Sequence, residues 1–413
     1  MSGFKRHCRT SCPALVNGRA TLKLLLGVTI FLHLLSCTSK RSDLEVYYSE
    51  RDELAETVPD IVPTTYPLTC SQPTSGHDPN GVHNLGGSPH FEGWYYRAFD
   101  PESRQSWVLI AAYWVEDNYE GNGFLELIQH PEGTVYKQEF SSVNIEEIQA
   151  SQGEFDLRLG DVQLGANKID GVMWTDDGQR LEIDLEITDC AQWGAPDDDN
   201  NRWTMGWSTE APGIPIRWHV HHLKANMSGT IRTPEHEWTL SEIPLHQEKN
   251  WGRSFPSSWM WLQSNHFEGR PDVAFAAAGG PIFPWRFTPH GYMAGLRWRD
   301  QFFTWRTHDT HTFPEAEFWI DHERRLAIWR LVGENYRHRI EVSVEVPLHE
   351  LILIDIPSDN GLHVGAVEHL AATTFVTLYR RHGFSWKWMD TMVSSAAAVE
   401  VGGDWARTAG LIP

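Results

Sequence analysis

Residues 180–188 read RLEIDLEIT, a stretch in which apolar side chains from Leu181 to Ile187 alternate strictly with charged ones. Period-two alternation is typical of an antiparallel strand with one buried face. Residues 154–159 and 340–346 show the same alternation. No long amphipathic helical pattern separates these stretches, so the sequence predicts an all-β protein.

Many strands without helices favour β-sandwiches or β-barrels, and a barrel of about eight strands can enclose one small ligand. The pattern weakens around residues 229–242, which indicates a boundary between two parts of the chain. We therefore predict two antiparallel barrel or sandwich domains, at residues 75–240 and 241–413.

The first 36 residues carry five basic side chains and no acidic one. Their apolar run, Leu24–Leu35, is shorter than the about 20 residues that span a bilayer, and this combination is typical of a secretory signal. The run ends in Leu34-Leu35-Ser36-Cys37, which resembles a bacterial lipoprotein box. We expect residues 1–36 to be a signal peptide and Cys37 to carry lipid, with an ordinary signal peptide as the alternative.

Residues 37–74 are mostly polar and acidic with several prolines, which is typical of a flexible tether. Thr38, rather than Asp, follows the cysteine. The expected location is the bacterial cell envelope, lipid-anchored and facing the periplasm, at the outer rather than the inner membrane.

The net charge of the chain is −21, and removing the five basic residues of 1–36 gives −21 − 5 = −26. Nucleic-acid binding needs a basic surface, so this charge argues against nucleic acid as a partner. The chain contains 20 Trp, whose rings can form the walls of a lipid pocket or a Trp-rich β core. In an oxidising compartment, Cys70 and Cys190 remain after processing and are a plausible disulfide pair.

Three segments resemble the tocopherol cyclase family in sequence, order and spacing. The first is Ser75-Gly76 followed by HFEGWYYR at 90–97, and the second is EKNWGRSFP at 248–256, which continues through residues 259–268. The third is AAVEVGG at 397–403. The resemblance covers roughly residues 75–410. It implies two lipocalin-like β domains, distantly like the carotenoid hydratases, and closure of a chromanol ring from a phytyl-type quinol.

The chain also departs from the family. Arg253-Ser254 stand where the family's second motif tends to carry glycines, and a lipoprotein signal is foreign to a family best known from plants and cyanobacteria. The substrate could therefore be another prenylated quinol.

The implied reaction makes its own chemical demands. Closing the ring requires protonation of a trisubstituted alkene and attack of the phenol oxygen on the tertiary cation. An Asp or Glu is the usual acid, aromatic faces stabilise the cation, and an apolar pocket keeps water away from it. The reaction is an isomerisation without redox change, so no cofactor is expected.

Glu92 and Glu248 are the two candidate acids, because each lies beside aromatic residues and a buried carboxyl has a raised pKa. Glu92 is favoured slightly, since three aromatic rings follow it and Lys249 places a charge next to Glu248. The alternative is structural: both carboxylates pair with Arg97, Lys249 or Arg253 and fix the ends of a barrel.

Aromatic residues near these acids are candidates for the pocket wall or, equally, for the core: Trp94, Tyr95, Trp251, Trp259 and Trp261. Trp259 and Trp261 share one face of a strand because they are two residues apart. Gln263 and Asn265 continue that face and could bind the phenol, or they could form a polar strand end.

His219 and His221 could also share a strand face as a pair of metal ligands. No third ligand follows at a recognisable spacing, so no metal site is predicted. Two other functions stay open beside the cyclase: a non-catalytic lipocalin-like lipid-binding lipoprotein, and a carotenoid-hydratase-like lyase.

Overall fold

The computed structural model describes Cys70 and residues 81–83, 90–115, 121–141, 143, 155–194, 203–282, 289–309, 312–358 and 361–413. In these ranges nearly all regular structure is antiparallel β-strand, which confirms the predicted all-β class. The only α-helix among them is α1, Asp404–Thr408. The predicted signal peptide, Cys37 and all of the predicted tether except Cys70 lie outside the described residues.

Ten strands form the first sheet, in the spatial order β4-β3-β2-β1-β10-β9-β8-β7-β6-β5. Their bounds are β1 His90–Phe99, β2 Ser106–Val115, β3 Gly121–His130, β4 Thr134–Ser141, β5 Asp156–Leu159, β6 Asp161–Gly165, β7 Lys168–Trp174, β8 Arg180–Gln192, β9 Ile216–Arg232 and β10 Glu237–Gly252.

The second sheet has the order β14-β13-β12-β11-β20-β19-β17-β16-β15, and β18 pairs with β19. Its strands are β11 Ser258–Ser264, β12 Val273–Pro281, β13 His290–Trp298, β14 Gln301–Arg306, β15 Thr312–Asp321, β16 Leu326–Glu334, β17 His338–Pro347, β18 Ile352–Ser358, β19 Gly361–His382 and β20 Ser385–Gly403. In both sheets the first strand pairs with the last one, β1 with β10 and β11 with β20.

The stretch 180–188 lies in β8, and its apolar residues from Leu181 to Ile187 are buried in the core of the first sheet. The predicted domain boundary at 240/241 falls inside β10, and the chain passes from the first sheet to the second only between Gly252 and Ser258. The division into two domains stays a prediction.

Strand alternation divides the side chains of β1 between two environments. Trp94 and Tyr96 belong to the core of the first sheet, whereas Tyr95 belongs to a separate apolar cluster shared with the second sheet. The second sheet has its own core, to which Met260 and Leu262 of β11 contribute. The cluster between the sheets includes Trp259 and Trp261 of the same strand.

Cys70 and Cys190 are joined by a disulfide with Cα atoms 4.9 Å apart, which ties residue 70 to the end of β8. Among the described residues no helix combines the length and the hydropathy needed to cross a bilayer.

Candidate active site

A cavity of about 420 Å³ lies between the two sheets. Its wall is mainly apolar and aromatic, and its members include Phe91, Ile110, Phe124, Trp218, Phe255 and Ile356. Glu248 of β10 and Glu400 of β20 interrupt this wall, together with Asp355 of β18, which forms an ion pair of 2.8 Å with Lys137. An apolar cleft with a few converging polar groups is the usual form of a small-molecule site.

Strand register places Glu248 and Glu400 each beside an aromatic residue of the neighbouring strand. Glu248 is paired with Tyr95 across β10 and β1, and Glu400 is paired with Trp261 across β20 and β11. A further carboxylate outside the cavity lining, Glu368 of β19, is the partner of Glu400 in the neighbouring strand. The junction of the sheets therefore holds three acidic side chains in an apolar environment.

Aromatic N–H and O–H groups bind each of these carboxylates. The indole Nε1 of Trp261 donates to Glu248 Oε2 at 2.9 Å, and the indole of Trp259 donates to Glu400. The hydroxyl of Tyr95 donates to Glu368 Oε1 at 2.5 Å. The side chains predicted as pocket walls thus also orient the acids.

Two of the three acids have pKa values raised to near neutral pH. Burial raises the pKa of Glu400 to about 7, with the charge of Glu248 adding to the effect and the bond from Trp259 opposing it. Burial also raises the pKa of Glu368 to about 8, assisted by the charge of Glu400. Carboxylates that share an apolar site resist simultaneous ionisation, so protons are retained between them.

Glu248 has a different set of contacts. Its Oε2 accepts the Trp261 indole and also lies 2.9 Å from Nε2 of His246 on the same strand. Two nitrogen groups therefore converge on one oxygen of a side chain that lines the cavity. This arrangement suits a hydrogen-bond acceptor at the cavity wall.

Glu92, the acid favoured from the sequence, does not line the cavity. It lies on the opposite face of β1 from Tyr95, where its Oε2 is 2.5 Å from Nζ of Lys249. Tyr113 donates to Glu92 Oε1 at 2.8 Å, and His90 lies 3.0 Å from the same oxygen. Burial alone raises the pKa of Glu92, but the Lys249 charge and the bonds from His83 and His90 hold it well below its usual range.

The charge of Lys249 lies beside Glu92, and not beside Glu248 as expected from the sequence. Adjacent residues of a strand point to opposite faces, so Lys249 faces Glu92 and the ring of Trp94, 4.5 Å away, rather than Glu248. Glu92 and Lys249 form a fully buried ion pair inside the first sheet. This contact corresponds to the structural alternative for Glu92, with Lys249 as the partner.

Only some of the aromatic residues predicted to form the pocket wall lie on the cavity side of their strands. Tyr95, Trp259 and Trp261 line the cavity, as the sequence analysis predicted for a pocket wall. Trp94 reaches the cavity boundary, but its ring packs against Tyr113 on the other face of β1. Trp251 is not part of the wall, and its ring stacks on His83 at 4.2 Å.

Gln263 and Asn265 do not line the cavity. Gln263 accepts a bond of 3.3 Å from Nη1 of Arg97, and Arg97 also donates to the carbonyl of Leu370 at 2.6 Å. Arg97 therefore joins the two sheets and is not the partner of Glu92. Asn265 is buried, and neither polar atom of its side chain has a hydrogen-bond partner among the described residues. The phenol-binding role predicted for this face does not fit the described geometry.

The histidines of β9 are buried and neutral. Burial lowers the pKa of His221 to about 4 and moves those of His219 and His222 well below their usual value. His219 packs edge-on against Trp203 at 5.5 Å. The expectation that this motif holds no metal stays a prediction.

A different trio, His130, Glu350 and His369, brings three potential ligand atoms within 4.8 Å of one another. Nδ1 of His369 accepts the backbone N–H of Ala371 at 3.1 Å, so the proton of this neutral ring resides on Nε2, which lies 2.9 Å from Glu350. A metal on Nε2 requires that proton to leave or the Ala371 bond to break. The donor set therefore favours a hydrogen bond over a metal ligand.

Neither Glu368 nor Glu400 is one of the two candidate acids selected from the sequence. Both interrupt apolar strands, in GAVEHLA at 365–371 and AAVEVGG at 397–403. A single acid within an otherwise apolar strand is the signal that could have revealed them, because such a side chain is costly to bury without a function or a partner.

Fold and site together define a two-sheet β protein with an acid-lined apolar cavity. The family model described as tocopherol cyclase-like matches residues 133–403, more than half of the chain. The chain therefore belongs to the tocopherol cyclase-like family, as the three sequence segments predicted.

Two plant proteins are among its relatives. The chloroplastic tocopherol cyclase of Zea mays is 23% identical over 340 residues, which are 70% of this chain and 68% of the maize protein. The probable chloroplastic tocopherol cyclase of Oryza sativa subsp. japonica is 22% identical over 402 residues, 84% of this chain and 82% of the rice protein. Kievitone hydratase from Nectria haematococca is a structural neighbour, with 12% identity, a TM-score of 0.41 and coverage of 84% of this chain and 95% of the hydratase.

Proposed function

We propose that this protein closes a chromanol ring from a prenylated, phytyl-type quinol in the cavity between the two sheets. The observation that carries the proposal is that two glutamates line the same apolar cavity: Glu400, whose pKa is raised to about 7, and Glu248, whose Oε2 accepts the Trp261 indole. Membership of the tocopherol cyclase-like family supports the same type of chemistry.

Glu400 is the proposed proton donor. Its proton forms a new C–H bond at the less substituted alkene carbon, and the tertiary cation develops on the neighbouring carbon. A carboxyl with a pKa near the working pH is an efficient general acid because it is protonated before the reaction and still transfers its proton readily. Glu400 is left as a carboxylate by this step.

Glu248 is the proposed acceptor of the phenolic proton. As the phenol oxygen bonds to the cation, its O–H bond breaks and the proton moves to Glu248. The substrate gains one proton on carbon and loses one from oxygen, so its composition is unchanged. Proton transfer from Glu248 to Glu400 through solvent completes the cycle after product release.

The cavity wall protects the cation. Trp259, Trp261 and Tyr95 present aromatic rings next to the two acids, and ring faces stabilise a nearby positive charge. The remaining wall is apolar, which holds the prenyl chain by burial of its surface and keeps water from converting the cation into an alcohol. The wall thereby favours ring closure over hydration.

We place the reaction at the cell envelope, with the protein held on a membrane by lipid on Cys37. A prenylated quinol is a membrane lipid, so a membrane-anchored protein remains close to its substrate. The proposed reaction needs no cofactor, because every proton and electron pair comes from the substrate or the two carboxylates.

The test is incubation of the purified full chain with phytyl and polyprenyl quinols, followed by chromatography and mass spectrometry. Ring closure gives a product with the mass of the substrate and a new retention time. A gain of one water identifies a hydratase and contradicts the cyclase proposal. Tight quinol binding without conversion identifies a lipid carrier.

A further inference from the structure

The end of the β19–β20 hairpin combines exposed aromatic and basic side chains. The two strands are joined by a two-residue turn in which Gly383 has φ +62°, and His382 pairs with Ser385 across it. A glycine at the first central position suits the tight turns of hairpins. The next residue, Phe384, is 108% exposed, so its ring extends away from the hairpin into solvent.

Two further aromatic side chains near this turn are poorly covered. Trp388 of β20 is 43% exposed, and Tyr336, in the turn before β17, is 73% exposed. The strand pairing His338↔Arg380 and a bond from the N–H of Arg381 to the carbonyl of Arg337 bring the β16–β17 turn beside the hairpin end. Residues 335–339 and 379–388 thus form one surface, which we call the hairpin tip.

The hairpin tip is basic in an acidic protein. It contains no Asp or Glu, although the whole chain has 55 acidic and 34 basic residues. Four exposed cations belong to it, namely Arg337, Arg380, Arg381 and Lys387. None of these four takes part in an ion pair within the described part of the chain, whereas Arg339 pairs with Glu334 and Glu341.

Two of the four cations also lie over aromatic rings. The guanidinium of Arg381 is 4.1 Å from the ring centroid of Trp386, and that of Arg337 is 4.9 Å from the ring centroid of Tyr336. In each of these pairs an apolar ring and a positive charge lie side by side on the surface. This is the composition that membrane interfaces select, with rings among the headgroups and cations on the phosphates.

We propose that the hairpin tip docks on an anionic phospholipid bilayer, with Phe384 inserted below the headgroups and the four cations bound to lipid phosphates. Charge complementarity selects an anionic surface. A single ring that extends from a tight turn fits a soft bilayer better than the flat, packed surface of a folded partner. This contact does not depend on the reaction in the cavity, because Glu368 and Glu400 lie far from the turn along the same two strands.

The experiment measures binding of the full chain with Cys37→Ser, which removes the expected lipidation site. Vesicles of phosphatidylcholine alone are compared with vesicles that also contain phosphatidylglycerol, by cosedimentation. Near an anionic surface each basic residue raises partitioning by about fivefold. We therefore expect Arg380→Gln with Arg381→Gln to reduce binding by roughly 25-fold, and Phe384→Ser to reduce it by about tenfold.

Matched controls change charge and apolar surface elsewhere. Arg324→Gln with Arg325→Gln removes two exposed cations from the β15–β16 turn, and Val135→Ser removes an exposed apolar side chain from β4. These variants should bind like the parent. Hydrogen exchange in peptides covering 379–388 should slow on addition of anionic vesicles, which locates the contact independently of the N-terminal segment.

Three outcomes overturn the proposal. One is equal binding to the two kinds of vesicle. Another is unchanged exchange at 379–388 in the presence of anionic vesicles. The third is loss of binding in the arginine variant without any loss in Phe384→Ser, which would show a surface for a soluble polyanion or an acidic protein and no insertion into a bilayer.

Discussion

Glu368 and Glu400 are paired partners on neighbouring strands, β19 and β20, and burial raises the pKa of both, to about 8 and about 7. Each lies within an apolar strand, and neither is neutralised by a basic side chain in an ion pair of the described residues. Their proximity raises the cost of ionising both. These two carboxyl groups therefore keep their protons up to about neutral pH, close to an apolar cavity.

The raised pKa values of Glu368 and Glu400 make the folding stability of the protein depend on pH. An unfolded Glu ionises near 4.5, whereas the folded carboxyls keep their protons up to about pH 7 to 8. Between these values the folded state binds more protons, so its stability falls as pH rises. We expect urea unfolding from pH 5 to 8 to show a weaker decline in Glu368→Gln than in the parent. An identical slope in the two proteins would contradict the raised pKa of Glu368.

Glu400→Gln tests the proposed acid. An amide keeps the shape of the side chain but donates no proton to an alkene, so turnover of quinol should fall by about 10²–10⁴-fold. Its melting temperature should stay close to that of the parent, because no ion pair is broken. Glu235→Gln, at an exposed turn, is the matched control and should keep full turnover. If Glu400→Gln turns over at the parental rate, the donor is another group.

Glu92→Gln should instead lower stability. The change leaves the ammonium of Lys249 buried without its carboxylate, a loss of about 3–5 kcal/mol in the free energy of unfolding. Any protein that remains folded should retain most of its turnover, since Glu92 lies outside the cavity wall. Denaturant titration and turnover are measured on the same samples. A stable but inactive Glu92→Gln protein would contradict this prediction and support Glu92 as the catalytic acid.

The disulfide gives a further prediction. Cys70 and Cys190 should resist alkylation in the unreduced protein, even after unfolding, and should react after reduction. Replacing both with Ser should lower the unfolding free energy by about 2–5 kcal/mol, because the bridge closes a long loop in the unfolded chain. Mass spectrometry after alkylation counts the thiols. Full labelling before reduction would show that the bridge does not form in the purified protein.

Processing at Cys37 is testable in a bacterial host. Replacement with Ser should abolish the mass added by acyl chains and leave an unlipidated precursor or release the protein from the membrane fraction. Fractionation and intact-protein mass spectrometry report both effects. Unchanged acylation in Cys37→Ser would exclude this residue as the lipid attachment site.

Local sequence patterns predicted much of the architecture. The alternation at 180–188 is reproduced in β8, and the aromatic segments correspond to strands β1, β10 and β11. The boundary near 240 did not coincide with the change of sheet, since β10 continues to Gly252 as the partner of β1. A turn-rich stretch can be recognised from the local sequence. The pairing of β1 with β10 cannot, because it joins residues about 150 positions apart.

The sequence by itself determined the β class, the family and the presence of acids among aromatic rings. Only the tertiary structure decided which acid belongs to the cavity. Glu248 and Lys249 are neighbours in sequence but face opposite sides of β10, so Lys249 neutralises Glu92 while Glu248 meets the second sheet. Glu368 and Glu400 acquire their raised pKa values from burial where the two sheets pack, and a sequence does not contain that environment until distant strands meet.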